Sequence, residues 1–156
     1  MNKIIKIIFF LIINHFLLSF NAVIGEEKIK IGLLVPMTGT NTELGQSIIK
    51  AVRLALKDIN SDLLEIIPKD TNSKPDKTLR SALELKQQGV KIVIGPVFYN
   101  SLSYLDEIKD LTFLSLTNKT LNLPTNVISA GINSTSQFNT INKFLKQNKI
   151  KKTIFL

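Results

Sequence analysis

The 156-residue chain contains no cysteine and a single histidine, His15. Without cysteine there is no disulfide framework, no thiol nucleophile, no cysteine metal site and no lipid-bearing cysteine at a new N-terminus. His15 falls within the first 25 residues, a leader by its pattern, so the rest of the chain has no imidazole for general-base catalysis or metal binding. Enzyme signatures are equally scarce. The stretch from Gly39 to Gly45 is not G-x-G-x-x-G, no G-x-x-x-x-G-K-[ST] occurs, and no G-x-S-x-G elbow is present. The backbone cradles for nucleotide phosphates and the strained serine turn of hydrolases are therefore missing. The first strand ends in Val35-Pro36, without the carboxylates that a receiver domain needs. These absences point away from an enzyme and imply neither cofactor nor metal.

What is present is the composition of a globular protein, with 44% hydrophobic and 21% charged residues. Two of the 20 basic residues, Lys3 and Lys6, lie in the leader, which leaves 18 against 12 acidic residues and a net +6. The lysines are scattered and are not gathered on one face with aromatics between, so no nucleic-acid partner is expected. The exception is Lys146, Lys149, Lys151 and Lys152, where a helix ends and cations complement its dipole.

Met1 to Lys6 is a basic start, and Ile7 to Phe20 is an apolar run interrupted by Asn14 and His15. The run is too short for a membrane span of about 20 apolar residues. It fits a secretory signal peptide over residues 1–25, cut before Glu26, with no membrane attachment after cleavage; the competing reading is an uncleaved N-terminal anchor.

From there strand and helix patterns alternate. Lys28 to Pro36 is a β-rich apolar run of the kind buried on both faces of a parallel sheet. Thr40 to Glu43 spells a capping box, followed by Leu44, Ile48, Val52, Ala55 and Ile59 on one helical face. Leu64 to Ile67 reads as a short strand closed by Pro68. A second helix opens at Ser73 to Pro75, carries Leu79, Ala82, Leu83 and Leu85, and is capped by Gly89. Val90 to Val97 is a third strand. Asn100 or Ser101 starts a short helix with Leu102, Leu105 and Ile108. Thr112 to Leu116 and Asn126 to Ala130 are further strands. Ser134 to Gln137 is a second capping box, opening a helix with Phe138, Ile141 and Leu145, and Thr153 to Leu156 begins a sixth strand. The alternation predicts an α/β fold, a doubly wound parallel sheet with Lys28–Val35, Val90–Val97 and Thr112–Leu116 at its centre. The chain stops inside an apolar strand, which reads as truncation.

Ligands of such sheets bind beyond the carboxyl ends of the strands. The loops there span Met37–Asn41, Asp70–Ser73, Phe98–Ser101 and Leu116–Lys119 and are rich in hydroxyls and amides. Two run into expected helix starts, after Gly39 and after Asn100, where free N–H groups suit an acidic group. The candidate ligand residues are Thr38, Gly39, Tyr99, Asn100, Ser101, Thr117 and Asn118. The competing reading is that they only cap helices and turn the chain.

IKIGLLVPMTGTNTELGQSIIKAVRLAL resembles the opening of type I periplasmic binding proteins of the Leu/Ile/Val-binding class, where a strand ends in a T/S-G-x turn and a glycine sits in the first turn of an Ala/Leu-rich helix. The likeness continues through Asp70-Thr71, VKIVIGPVFYNSL and FLSLTNKTLNLPTNVISAGINSTSQ. It implies a periplasmic protein of two hinged lobes, with residues 26–132 giving most of the first and 133–156 beginning the second. Its expected ligand is an amino acid or similar small molecule, and its expected partner an ABC permease. Two positions depart from the amino-acid receptors: Leu44 stands where an aromatic is frequent, and Tyr99 where a serine is. LSLTNKTLNLPTNVISAGINSTSQ is more similar to the penicillin-binding-protein activators, which act on a cell-wall synthase, and that is the alternative the resemblance implies.

Overall fold

The computed structural model describes residues 27–152 and, ahead of them, residues 3, 5, 6, 9 and 10. The expected cleavage site and the sixth strand at Thr153 to Leu156 lie outside the described residues.

Five strands, β1 (Ile29–Val35), β2 (Leu64–Asp70), β3 (Ile92–Ile94), β4 (Thr112–Ser115) and β5 (Val127–Ser129), form one sheet in the order β2-β1-β3-β4-β5. Every pairing is parallel, and the three strands expected at the centre are there. Helices α1 (Thr42–Ile59) and α2 (Pro75–Gln87) join β1 to β2 and β2 to β3; α3 (Ser134–Gln147) follows β5.

The pleat divides the core. Leu33 and Val35 face α1 and pack with its Ile49, while Leu34 points to the opposite face and joins Ala82 and Leu85 of α2, Val93, Phe113 and Val127. Each fully buried aliphatic side chain contributes roughly 1.5–3 kcal/mol relative to exposure. The α2 side also receives Leu102, Leu105, Ile108 and Leu111 from the β3–β4 connection. On the α1 side the register aligns Leu33, Ile94, Leu114 and Ile128 in one cross-strand row. The row is covered at β1, but Ile128 at its far end remains 56% exposed.

Several local expectations are corrected. The first capping box does not form: the N-cap of α1 is Asn41, which makes no side-chain capping bond, and Thr42 instead donates its hydroxyl to the Gly39 carbonyl. The buried face of α1 is rotated by one residue, to Gly45 and Ile49 with Ile48, Val52 and Leu56 partly covered, leaving Leu44, Ala55 and Ile59 outside. Gly45 explains the rotation. A Cβ there would lie 1.9 Å from the Pro36 carbonyl oxygen, so the bare glycine lets the first turn of α1 rest on the end of β1. Leu83 of α2 is likewise exposed. Pro68 does not close β2 but lies within it, which an edge strand tolerates.

The C-terminus of α2 behaves as expected. Gly89, at φ +81°, donates to the Lys86 carbonyl and Val90 to that of Leu85, a Schellman cap whose flanking apolar pair is buried. The second capping box is shifted by one residue: Asn133, not Ser134, is the cap, and its Oδ1 accepts from the Ser136 N–H at 2.9 Å. The expected helix after Asn100 is two short 3-10 helices, Tyr99–Leu102 and Leu105–Glu107, broken where Tyr104 takes φ +69°. Asn126 stitches this stretch to the sheet, with its Nδ2 donating to the carbonyls of Leu105, Ile108 and Leu111.

Candidate functional site

The strand order reverses between β1 and β3, and in parallel sheets the loops beyond the strands' carboxyl ends at that point form the binding crevice. On the β1–β2 side the loops are tied by Asp70. Its Oδ1 accepts from the backbone N–H groups of Met37 (2.7 Å), Thr38 (3.1 Å) and Asn72 (2.9 Å). Its Oδ2 accepts from the Thr38 hydroxyl at 2.6 Å and from the Lys77 ammonium. Burial by itself would raise the Asp70 pKa; the bonds from Lys77, Thr38, Asn72 and Met37 outweigh it and hold the carboxyl far below the usual carboxylate range. A second strut joins Asn41 Nδ2 to Ser73 Oγ at 3.0 Å. Gly39 sits between them at φ +85°, and a Cβ there would meet Asn72 Oδ1 at 2.2 Å.

On the β3–β4 side Tyr99 is a wall between two hollows. One, of about 410 Å³, is lined by Tyr99, Asn100, Ser103, Tyr104, Asp106 and Leu123 among others. The second, of about 510 Å³, is lined by Tyr99, Asn118, Lys119, Thr120, Leu121, Asn122, Asn133 and Ser134. The Lys119 ammonium rests 4.2 Å from the centroid of the Tyr99 ring, within cation–π range.

The seven candidate residues thus fall into groups. Thr38 and Gly39 belong to the Asp70 clamp, with the Thr38 hydroxyl engaged by the carboxylate. Tyr99, Asn100 and Asn118 line the two hollows. Ser101 and Thr117 are buried beneath them. Thr117 Oγ1 accepts from the Lys119 N–H, and Ser115, below it, donates to the Pro96 carbonyl. These hydroxyls shape the turn. Ser101 differs: its Oγ is buried and has no hydrogen-bond partner among the described residues. The anion-binding helix start expected after Asn100 is absent, because one 3-10 turn lacks both the length and the aligned dipole.

Asp70 and Lys119 were not among the candidates. Asp70 carried a signal, since a lone carboxylate ending a strand beside a hydroxyl-rich loop must find donors. Lys119 follows Asn118 directly, but its stacking depends on Tyr99, twenty residues away in sequence. Among the described residues no three His, Cys, Asp or Glu side chains cluster to hold a metal, and no helix is long and apolar enough to cross a membrane.

A family model for the periplasmic binding proteins matches residues 28–156. The chain belongs to the periplasmic binding protein family. Solved structures agree on the fold. LpoA of Haemophilus influenzae, a regulator of PBP1A, superposes on 86% of this chain and 25% of its own in the full-length structure, at a TM-score of 0.63 and 21% identity. The branched-chain amino-acid transporter substrate-binding protein LivJ of Streptococcus pneumoniae, in complex with isoleucine, covers 65% of this chain and 33% of its own, at 0.58 and 21%. A solute-binding protein of an ABC transporter from Rhodopseudomonas palustris, in complex with 3,4-dihydroxybenzoic acid, covers 58% and 27%, at 0.52 and 27%. The chain therefore spans between a quarter and a third of the length of these family structures. None of the curated proteins matches the sequence.

Proposed function

We propose that this chain forms the first lobe of an extracytoplasmic solute-binding protein of the leucine-binding type, which takes an amino acid or a similar small polar ligand and serves an ABC importer. The observation that carries the reading is the family match over residues 28–156, together with a braced, hydroxyl- and amide-rich rim at the switch point of the sheet. In this reading residues 1–25 are a cleaved signal peptide and the protein is periplasmic; the basic start and the short apolar run support export. Residues 26–132 give the lobe and 133–156 begin a second. The character of α3 supports that division, for it buries none of its residues while α1 and α2 each bury a face on the sheet.

Ligand contact is assigned to Thr38, Gly39, Tyr99, Asn100, Ser101, Thr117 and Asn118. The unpartnered Ser101 hydroxyl is the strongest support among them, since a buried polar group without a partner costs about 1–3 kcal/mol. Calorimetry of the full-length protein with isoleucine, 3,4-dihydroxybenzoate, short peptides and cell-wall fragments tests the reading. If a ligand binds and Thr38→Ala, Ser101→Ala and Asn118→Ala all leave its affinity unchanged, the site is wrongly placed.

A second reading, a regulator that binds a cell-wall synthase, is favoured by one observation: LpoA superposes on more of this chain than the two solute receptors described. Co-purification with a penicillin-binding protein, with no ligand found by calorimetry, would turn the assignment that way.

A further inference from the structure

The larger hollow beside Tyr99 has a charge of one sign. Among the described residues eight line it, including Asn118, Thr120, Asn122, Asn133 and Ser134, and of these Lys119 alone is charged. Lys119 forms no ion pair among the described residues. Its ammonium lies over the face of the Tyr99 ring, whose hydroxyl reaches the Asn122 carbonyl at a long 3.5 Å. Stacking on the ring limits the ammonium to one side of the hollow without neutralising it.

The carboxylates nearby do not compensate it. Asp70, on the far loops, already accepts five hydrogen bonds, which saturates its two oxygens. Asp106 lines the other hollow, across the Tyr99 wall. At the first turn of α3, Asn133 Oδ1 takes the Ser136 N–H, one of the donors that a helix start would otherwise offer to an anion.

We infer that Lys119 is the anchor for a carboxylate on the ligand of this protein, with Tyr99 as its positioning residue and the amides of Asn118 and Asn122 as flanking donors. The inference rests on the solute-binding reading above and deepens it by adding a specificity residue for the acid group of the ligand. A carboxylate entering the hollow meets a fixed cation and amide donors, and its docking displaces water from the ammonium. Charge-assisted bonds formed there are shorter and stronger than neutral ones. A ligand whose acid is replaced by a neutral amide keeps the shape but offers Lys119 no anion.

The experiment is calorimetry on the full-length protein with paired probes, isoleucine against isoleucinamide and 3,4-dihydroxybenzoate against 3,4-dihydroxybenzamide. The expected result is that at least one acid binds about tenfold more tightly than its amide, as a partly solvated charged hydrogen bond gives. Lys119→Met should erase that preference by weakening the acid and leaving the amide unchanged, and Lys119→Arg should restore most of it. Rising salt should narrow the gap in the wild type and not in the Met variant. If an acid binds and its preference over the amide survives Lys119→Met, the anchor is elsewhere, while the solute-binding reading stands. Equal binding of acid and amide by the wild type overturns the inference in the same way. If no probe of either kind binds, the solute-binding reading falls and takes the Lys119 assignment with it. Lys119 is exposed, and circular dichroism of both variants checks that they remain folded.

Discussion

Replacing Asp70 by asparagine removes one charge from a carboxylate that is only 18% exposed at its side chain. The amide oxygen of the substituted side chain can still accept from the three backbone N–H groups of Met37, Thr38 and Asn72, but those bonds fall from charged to neutral strength, about half. At the other position an NH2 group replaces Oδ2 and faces the Lys77 ammonium, donor against donor, and the Thr38 hydroxyl must turn. Bonds to charged groups contribute roughly 1.5–3 kcal/mol each and do not add, so we expect a loss of about 2–3 kcal/mol at pH 7. For a domain of this size that lowers the Tm by about 5–10 °C. The acid limb gives a sharper test. The folded pKa of Asp70 lies below its ordinary value of 3.8. The unfolded chain therefore takes up this proton first as pH falls, and stability drops with it. The contribution is complete above about pH 5 and is lost progressively as pH falls through 3.8 toward the folded value. Asp70→Asn should thus cost most at neutral pH and least near about pH 2–3, and should flatten the decline that the wild type shows between them. Chemical denaturation across that range measures it. A variant that is within about 0.5 kcal/mol of the wild type at pH 7, or an acid limb of unchanged slope, would refute the clamp.

Three further outcomes are expected. Gly45→Ala should destabilise by about 1–3 kcal/mol despite alanine's better helix propensity, because its Cβ meets the Pro36 carbonyl; a stability gain in thermal unfolding would contradict the packing. Asn126→Ala should cost about 2–3 kcal/mol by removing three hydrogen bonds, although the Leu105 and Ile108 carbonyls each keep a backbone donor, and Asn126→Asp more, since an acceptor then faces acceptors; denaturant titration that ranks Asp above Ala would count against it. Ser101→Ala should raise the stability of the ligand-free protein by about 1–3 kcal/mol, because it removes a buried hydroxyl that has no partner, yet weaken any ligand; a loss of stability would mean that the hydroxyl serves the fold.

The sheet was legible because its inner strands carry continuous apolar runs, LLV in β1, which is buried throughout, and IVI in β3, where Val93 is buried and Ile94 partly so. The ends of the helices were not. Thr40 and Ser134 both satisfied a capping pattern, but the pattern does not say where the preceding strand sets the chain down. In α1 that is decided by the approach of Gly45 to Pro36, a contact between backbones that leaves only a missing side chain in the sequence. The stretch after Asn100 has helical apolar spacing, but its leucines and isoleucine are drawn to the sheet individually, and the carbonyls that a helix would have used go to Asn126. The candidate site was legible as a set of loops. The division of those loops into an Asp70 clamp and a Lys119–Tyr99 hollow was not, because both depend on partners distant in sequence, as Asp70 is from Met37 and Thr38 and Lys119 is from Tyr99.

Pro68 has a consequence for how this sheet meets other chains. Thr71 donates its N–H to Val35 of β1, and in a parallel ladder the donors toward one neighbour alternate along the strand. The nitrogens of Ile67 and Lys69 therefore face β1, while that of Pro68 faces outward, along the edge that no other strand covers among the described residues. A foreign strand adding to this edge would meet a ring where the middle donor of its ladder should be, and would strand one of its own carbonyls away from water. The edge is thus closed to strand addition by one residue that costs the native sheet no hydrogen bond. Among the described residues the opposite border is β5, which offers only Val127–Ser129 for β-pairing.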